Sequence, residues 1–109
     1  MKGAVHITEA ESVILAALWR LGPLPPARLQ AEVKAVQPWA GTTIKTLLAR
    51  LINKRIVRSE RHDGVIRYRP LIERAAYVEA EVQALLDRLF DGDRAALIAL
   101  LEGEQAAQD

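Results

Sequence analysis

Apolar residues recur at three- and four-residue spacing through most of this chain, and the period drops to two in one central stretch. The clearest helical stripe is Ile44, Leu47, Leu48 and Leu51, in a helix predicted from Thr42 to about Lys54. Upstream, Ile14, Leu15, Leu18, Trp19 and Leu21 mark the buried face of a first helix. Thr8 is its expected N-cap, Glu11 completes a capping box, and Gly22-Pro23 stops it. Pro25-Pro26 opens a second helix, running to about Val36 with Leu29, Val33 and Val36 inward, and Gln37-Pro38 ends it. From Ile56 to His62 and from Val65 to Pro70 the pattern alternates around Asp63-Gly64, a strong signal for a two-residue hairpin. Pairing across that turn sets Arg58 opposite Arg69 and Glu60 opposite Arg67 on one face. Ser59–Tyr68 and Arg61–Ile66 share the other.

Helical periodicity returns from Glu73 to Phe90, with a stripe at Val78, Val82, Leu85 and Leu89 flanked by Tyr77, Leu86 and Phe90. Asp91-Gly92 breaks it, and Asp93 is placed to cap a last helix over residues 94–102 lined by Leu97, Ile98, Leu100 and Leu101. From Gly103 the tail is polar and expected to fray. The fold class is mostly α with a small β-hairpin: a winged helix-turn-helix over residues 1–72, then a helical dimerisation region over 73–109. Val78, Val82, Leu85, Leu86, Leu89, Phe90, Leu97 and Leu101 are the dimerisation candidates, since two helices alone cannot hide so long an apolar stripe, and folding back on the winged helix is the plain alternative.

Charge changes the picture. The net charge of +1 conceals twelve Lys or Arg against five acids in residues 1–72, and three Arg against nine acids in residues 73–109. A part at +7 joined to a part at −6 suggests two tasks, the first facing a polyanion. The third helix sharpens this. Between Thr42 and Ser59 there is no carboxylate, so its polar face consists of hydroxyls and cations, groups that bond to phosphates and base edges. Thr42, Thr43, Lys45, Thr46 and Arg50 are the candidates for DNA contact there, and Arg58, Arg61, Arg67 and Arg69 those on the wing. A solvated helix face and wing arginines paired with Glu60 or Asp63 are the plain alternatives. Lys54 and Arg55 end a helix, where cations also suit the dipole.

Composition excludes several classes. With no cysteine there is no disulfide or thiolate metal site, and His6 and His62 alone make none, so no metal or other cofactor is expected. No paired-carboxylate cleft, nucleophile triad or phosphate-binding glycine loop stands out, so an enzyme is not expected. No apolar run reaches membrane-spanning length, and a cytoplasmic location without membrane association is the expectation. The expected partners are double-stranded operator DNA and a second copy of the chain. Two rival readings remain: a winged-helix module docking an acidic protein, and a truncated antagonist that pairs with a fuller paralogue.

The residues Ile7-Thr8-x-Ala10-Glu11 with Leu18-Trp19, then Trp39-x-x-x-Thr43-Ile44-Lys45-Thr46-Leu47-x-x-Arg50-Leu51, resemble the penicillinase-repressor (BlaI/MecI) family. The wing with Gly64, Tyr68 and Pro70 continues the likeness, as does Leu86-Asp-Arg-Leu-Phe90-Asp-Gly92, over roughly residues 7–102. The resemblance implies a dimeric winged-helix repressor of dyad-symmetric operators, released in some relatives when a sensor protease cuts the dimerisation part. A copper-responsive branch uses a cysteine cluster, which this chain lacks. Relatives commonly carry Ser-Pro where this chain has Ala40-Gly41, so Thr42 is expected to cap the third helix in place of Ala40. The resemblance also implies a final helix, usual in relatives, that is not expected before Asp109, and the strength of the dimer is expected to depend on it.

Overall fold

A computed structural model describes residues 6–107, with side-chain surroundings through residue 103. The order is α1 (Glu9–Leu21), α2 (Pro26–Lys34), α3 (Gly41–Asn53), β1 (Val57–His62), β2 (Val65–Pro70), α4 (Arg74–Phe90) and α5 (Arg94–Ala107). The chain forms two compact units, divided between Glu73 and Arg74.

In the first unit the predicted capping box is present at α1. Thr8 Oγ1 accepts from the Glu11 amide at 3.1 Å, and the Thr8 amide donates to Glu11 Oε1 at 3.0 Å. Two otherwise orphaned amides are satisfied by the exchange. At the other end the Gly22 amide donates to Leu18 O at 2.8 Å, with φ at +86°, a conformation that only glycine adopts without strain. Proline opens α2, where its missing amide costs nothing. The three helices converge on Ile14, Leu15 and Leu18 of α1, Leu29 and Val33 of α2, and Ile44 and Leu51 of α3, all buried. These are the positions that the three-and-four spacing selects.

The hairpin closes this core. Its observed register pairs Arg58 with Arg69, Ser59 with Tyr68, Glu60 with Arg67 and Arg61 with Ile66, as the sequence predicts. Asp63 and Gly64 both have positive φ (52° and 78°), the backbone of a two-residue turn that matches the twist of paired strands. The other edge of β2 is not bare. Leu24 and Tyr68 exchange two backbone hydrogen bonds, of 3.2 and 2.8 Å, so the loop before α2 acts as a third strand. Past the wing, the Leu71 amide donates to Ile56 O at 2.7 Å, and the half-buried Trp19 donates its indole N–H to Ile72 O at 2.9 Å.

The second unit is a pair of helices joined by a sharp corner. Asp91 and Gly92 have positive φ, and the Gly92 amide donates to Leu86 O at 2.9 Å. Asp93 caps α5 through its carboxylate, which accepts from the Ala96 amide at 3.2 Å.

Four expectations need correction. Helix α2 ends at Lys34, so Val36 lies in the following turn and is 64% exposed. The amides of Val36 and Gln37 both return to Val33 O as the chain prepares for Pro38. Leu21 is exposed because α1 ends there. Helix α3 starts at Gly41 with Ala40 as its N-cap, so Thr42 lies inside the first turn and does not cap. Helix α5 does not end at Glu102 but runs through Gly103 to Ala107. One glycine costs about 1 kcal/mol, too little to stop a helix flanked by Glu, Gln and Ala.

Candidate nucleic-acid interface

Helix α3 divides cleanly. Ile44, Leu47, Leu48 and Leu51 are buried, which forces Thr42, Thr43, Lys45, Thr46 and Arg50 outward, and all five are exposed. No carboxylate lies on α3 itself. Among the described residues neither Lys45 nor Arg50 takes part in an ion pair, so both keep their donors for a ligand. The Thr46 hydroxyl donates to Thr42 O at 3.0 Å. Its proton is thus committed, and its oxygen remains an acceptor.

The start of α3 adds a feature that side-chain chemistry did not predict. Ala40 has the extended backbone of an N-cap but no side-chain oxygen, so no side chain satisfies the first amides of the helix. Gly41 sits under the amide group of Gln30, where an added Cβ would come within 3.1 Å of Gln30 Oε1. The first turn therefore presents free N–H groups and the positive end of the helix dipole beside the threonine hydroxyls.

The wing arginines do not form one group. Strand alternation puts Val57, Ser59 and Arg61 on one face with Ile66, Tyr68 and Pro70. Val57 is buried, and Tyr68 lines a hollow with Leu29 of α2 and Ile44 and Leu48 of α3. Arg61 shares this face, near the turn, with its guanidinium 3.3 Å from Gly64 O. Arg58, Arg67 and Arg69 lie on the opposite face, around Glu60. Arg69 donates to Glu60 at 2.9 Å and Arg58 at 3.4 Å. The bond from Arg69 holds the Glu60 carboxyl below the ordinary carboxylate range, and Arg58 adds to the effect. Arg67, opposite Glu60 in register, gains no such bond, and its Nε is buried without a partner. The repulsion expected from opposed arginines is thus relieved internally.

Lys54 and Arg55 separate as well. Lys54 turns inward, 2.7 Å from Glu11 Oε1 and 2.8 Å from His6 O. Arg55 is exposed in a left-handed conformation, φ 64°. His62 approaches Asp63 at 3.4 Å at the exposed turn, and among the described residues no group of three His, Cys, Asp or Glu could hold a metal ion. No helix among them is long and apolar enough to cross a membrane.

In the second unit Val78, Val82 and Leu89 of α4 are exposed, as are Ile98, Leu100 and Leu101 of α5. Leu85, Phe90 and Leu97 are half-buried. Leu86, also among the expected dimer contacts, is buried already in the single chain, so it offers no surface to a partner.

Comparison with known proteins bears on this surface. The model of the family described as penicillinase repressor matches residues 7–109. The chain is similar to the penicillinase repressor of Bacillus licheniformis, 26% identical over 106 residues that cover 96% of this chain and 83% of that protein. Among solved structures it is similar to the monomeric form of B. licheniformis BlaI in complex with the blaP half-operator. The TM-score is 0.63 at 27% identity, covering 71% of this chain and 94% of the other. It is also similar to the CopR repressor, with a TM-score of 0.51 and 30% identity over 65% of this chain and all of the other.

Proposed function

The chain belongs to the penicillinase-repressor family, and from that membership we propose that it is a transcriptional repressor that binds operator DNA as a homodimer. The observation that carries this reading is the exposed face of α3, which is free of acids and holds Lys45 and Arg50 outside any described ion pair. A helix of this kind fits the major groove. Thr43, Lys45, Thr46 and Arg50 would meet base edges and phosphates there. The uncapped first turn, with Thr42, would take a backbone phosphate. Arg61 lies on the wing face turned toward α3 and would grip the flanking backbone. Arg58 and Arg69, tied to Glu60, and Arg67 would add positive potential more than direct contacts.

The exposed apolar residues of α4 and α5 support a second copy of the chain as the remaining partner. Two-fold symmetry then requires two half-sites in inverted repeat, and occupancy of such a site in a promoter blocks transcription. A protein with this task works in the cytoplasm, on the cell's own DNA.

The test is a binding titration of Lys45→Ala and Arg50→Ala against operator duplex across a range of salt. Each substitution should cost about 1–3 kcal/mol of affinity if the side chain reads a base. If it meets a phosphate instead, the salt slope should fall by about 1 per contact. Sedimentation should show the dimer unchanged. Unaltered affinity and slope for both variants would refute the assignment of α3.

A further inference from the structure

Glu11 is the one buried charged side chain among the described residues, with about 1% of its side chain exposed. Its capping role uses only part of its bonding capacity. Oε1 accepts both from the Thr8 amide at 3.0 Å and from Lys54 Nζ at 2.7 Å, while Oε2 is buried without a partner. A capping box needs no lysine and does not need burial. Lys54 in turn is the C-cap of α3, and its ammonium also donates to His6 O at 2.8 Å. One ammonium therefore joins the last turn of the recognition helix to both the backbone and the carboxylate at the start of α1.

We propose that Glu11 and Lys54 form a strap that sets the orientation of α3 on α1, so that both are positioning residues for DNA binding and Lys54 is not a phosphate contact. The inference rests on the DNA-binding reading given above. Its physical basis is the short, shielded ion pair, since a charge left without its partner in such a site is costly. With the strap in place the C-terminal end of α3 is fixed by a charge-assisted bond and the buried stripe fixes its roll. Together they define where Lys45 and Arg50 meet the groove.

The strap and a plain electrostatic role make opposite predictions. Removing an acid from a DNA-binding surface ordinarily strengthens binding. Glu11→Gln should instead weaken operator affinity roughly tenfold, with an unchanged salt slope, because no phosphate contact is lost. Lys54→Met should weaken binding with the same unchanged slope, and Lys54→Arg, which keeps a donor in reach, should restore most of the loss. Amide hydrogen exchange in the last turn of α3 should be faster in Glu11→Gln, a readout that needs no DNA. If Glu11→Gln does not fold, the double variant Glu11→Gln/Lys54→Met, which leaves no lone charge, takes its place. Equal or tighter binding by Glu11→Gln, or a lower salt slope in Lys54→Met, would overturn the strap. If the unaltered protein selects no duplex, the repressor reading fails by itself, and the strap stands or falls on the exchange rates.

Discussion

The two units of this chain use hydrophobic residues in opposite ways. Fourteen of the fifteen buried apolar side chains among the described residues lie between Ile7 and Val57, and only Leu86 lies beyond Glu73. Yet α4 and α5 are no less apolar in pattern. They carry Val78, Val82, Leu89, Ile98, Leu100 and Leu101 exposed, the last at 63%. The first unit closes its core within one chain and leaves its polar, basic face to a polyanion. The second leaves its apolar face open and its described acids in solvent, the feature that supports the proposed second copy as its partner. The difference in charge, +7 over residues 1–72 against −6 over residues 73–109, follows nearly the same division. A helix stripe alone therefore does not say what covers its face: the single chain buries the stripes of the first unit and leaves that of the second exposed.

The largest effect should come from breaking the open face. Val82→Asp should convert dimer to monomer by analytical sedimentation. It should also reduce affinity for a two-half-site operator by roughly a hundredfold or more, as the linked second contact is lost. A dimer that survives this change places the interface elsewhere. Next in size is the closed core. Leu51 is fully buried, so Leu51→Ala should cost about 3 kcal/mol of unfolding free energy in urea. Leu101→Ala should instead change how the melting temperature depends on protein concentration.

An acid titration sharpens the comparison within the first unit. Burial raises the Glu11 carboxyl, but the hydrogen bonds from Lys54 and Thr8 outweigh it, and the group ionises below its ordinary value. A depressed carboxylate contributes its stability above its unfolded-state value and loses it as pH falls through the folded-state value. Melting curves from neutral to acid pH should therefore show Glu11→Gln losing less stability than the parent on the acid limb. Parallel limbs would contradict the depressed ionisation. The smallest effect concerns the uncapped start of α3. Ala40→Ser should add about 1 kcal/mol of stability by capping the helix, and it should weaken DNA binding if the first-turn amides hold a phosphate.

Much of this was legible in the residues because local chemistry determined it. Thr8-x-x-Glu11 defined the start of α1, Asp63-Gly64 defined the hairpin and with it the whole register, and the stripe at Ile44, Leu47, Leu48 and Leu51 defined which face of α3 is exposed. What escaped depends on contacts distant in sequence. Nothing local says that Lys54 reaches back 43 residues to Glu11, or that the Val57–Tyr68 face of the hairpin, with Arg61, is the inward one. The cap of α3 was misplaced for a different reason. Side-chain preference favours a threonine, yet the backbone turns at Ala40 and leaves the first turn without a side-chain partner. Pairing of wing arginines with Glu60 was legible as an alternative to DNA contact, but the diagonal preference for Arg69 over Arg67 is a matter of side-chain reach.

The most direct test of the central claim is a fluorescence-anisotropy titration of a labelled duplex from the gene's own upstream region, carrying the full inverted repeat. A half-site duplex and a scrambled duplex serve as controls, each at two salt concentrations. The account predicts saturation at two chains per full site, weaker binding to the half-site, and an affinity for the full site that falls steeply with salt while still exceeding that for scrambled DNA. Weak binding of equal strength to all three duplexes would contradict it.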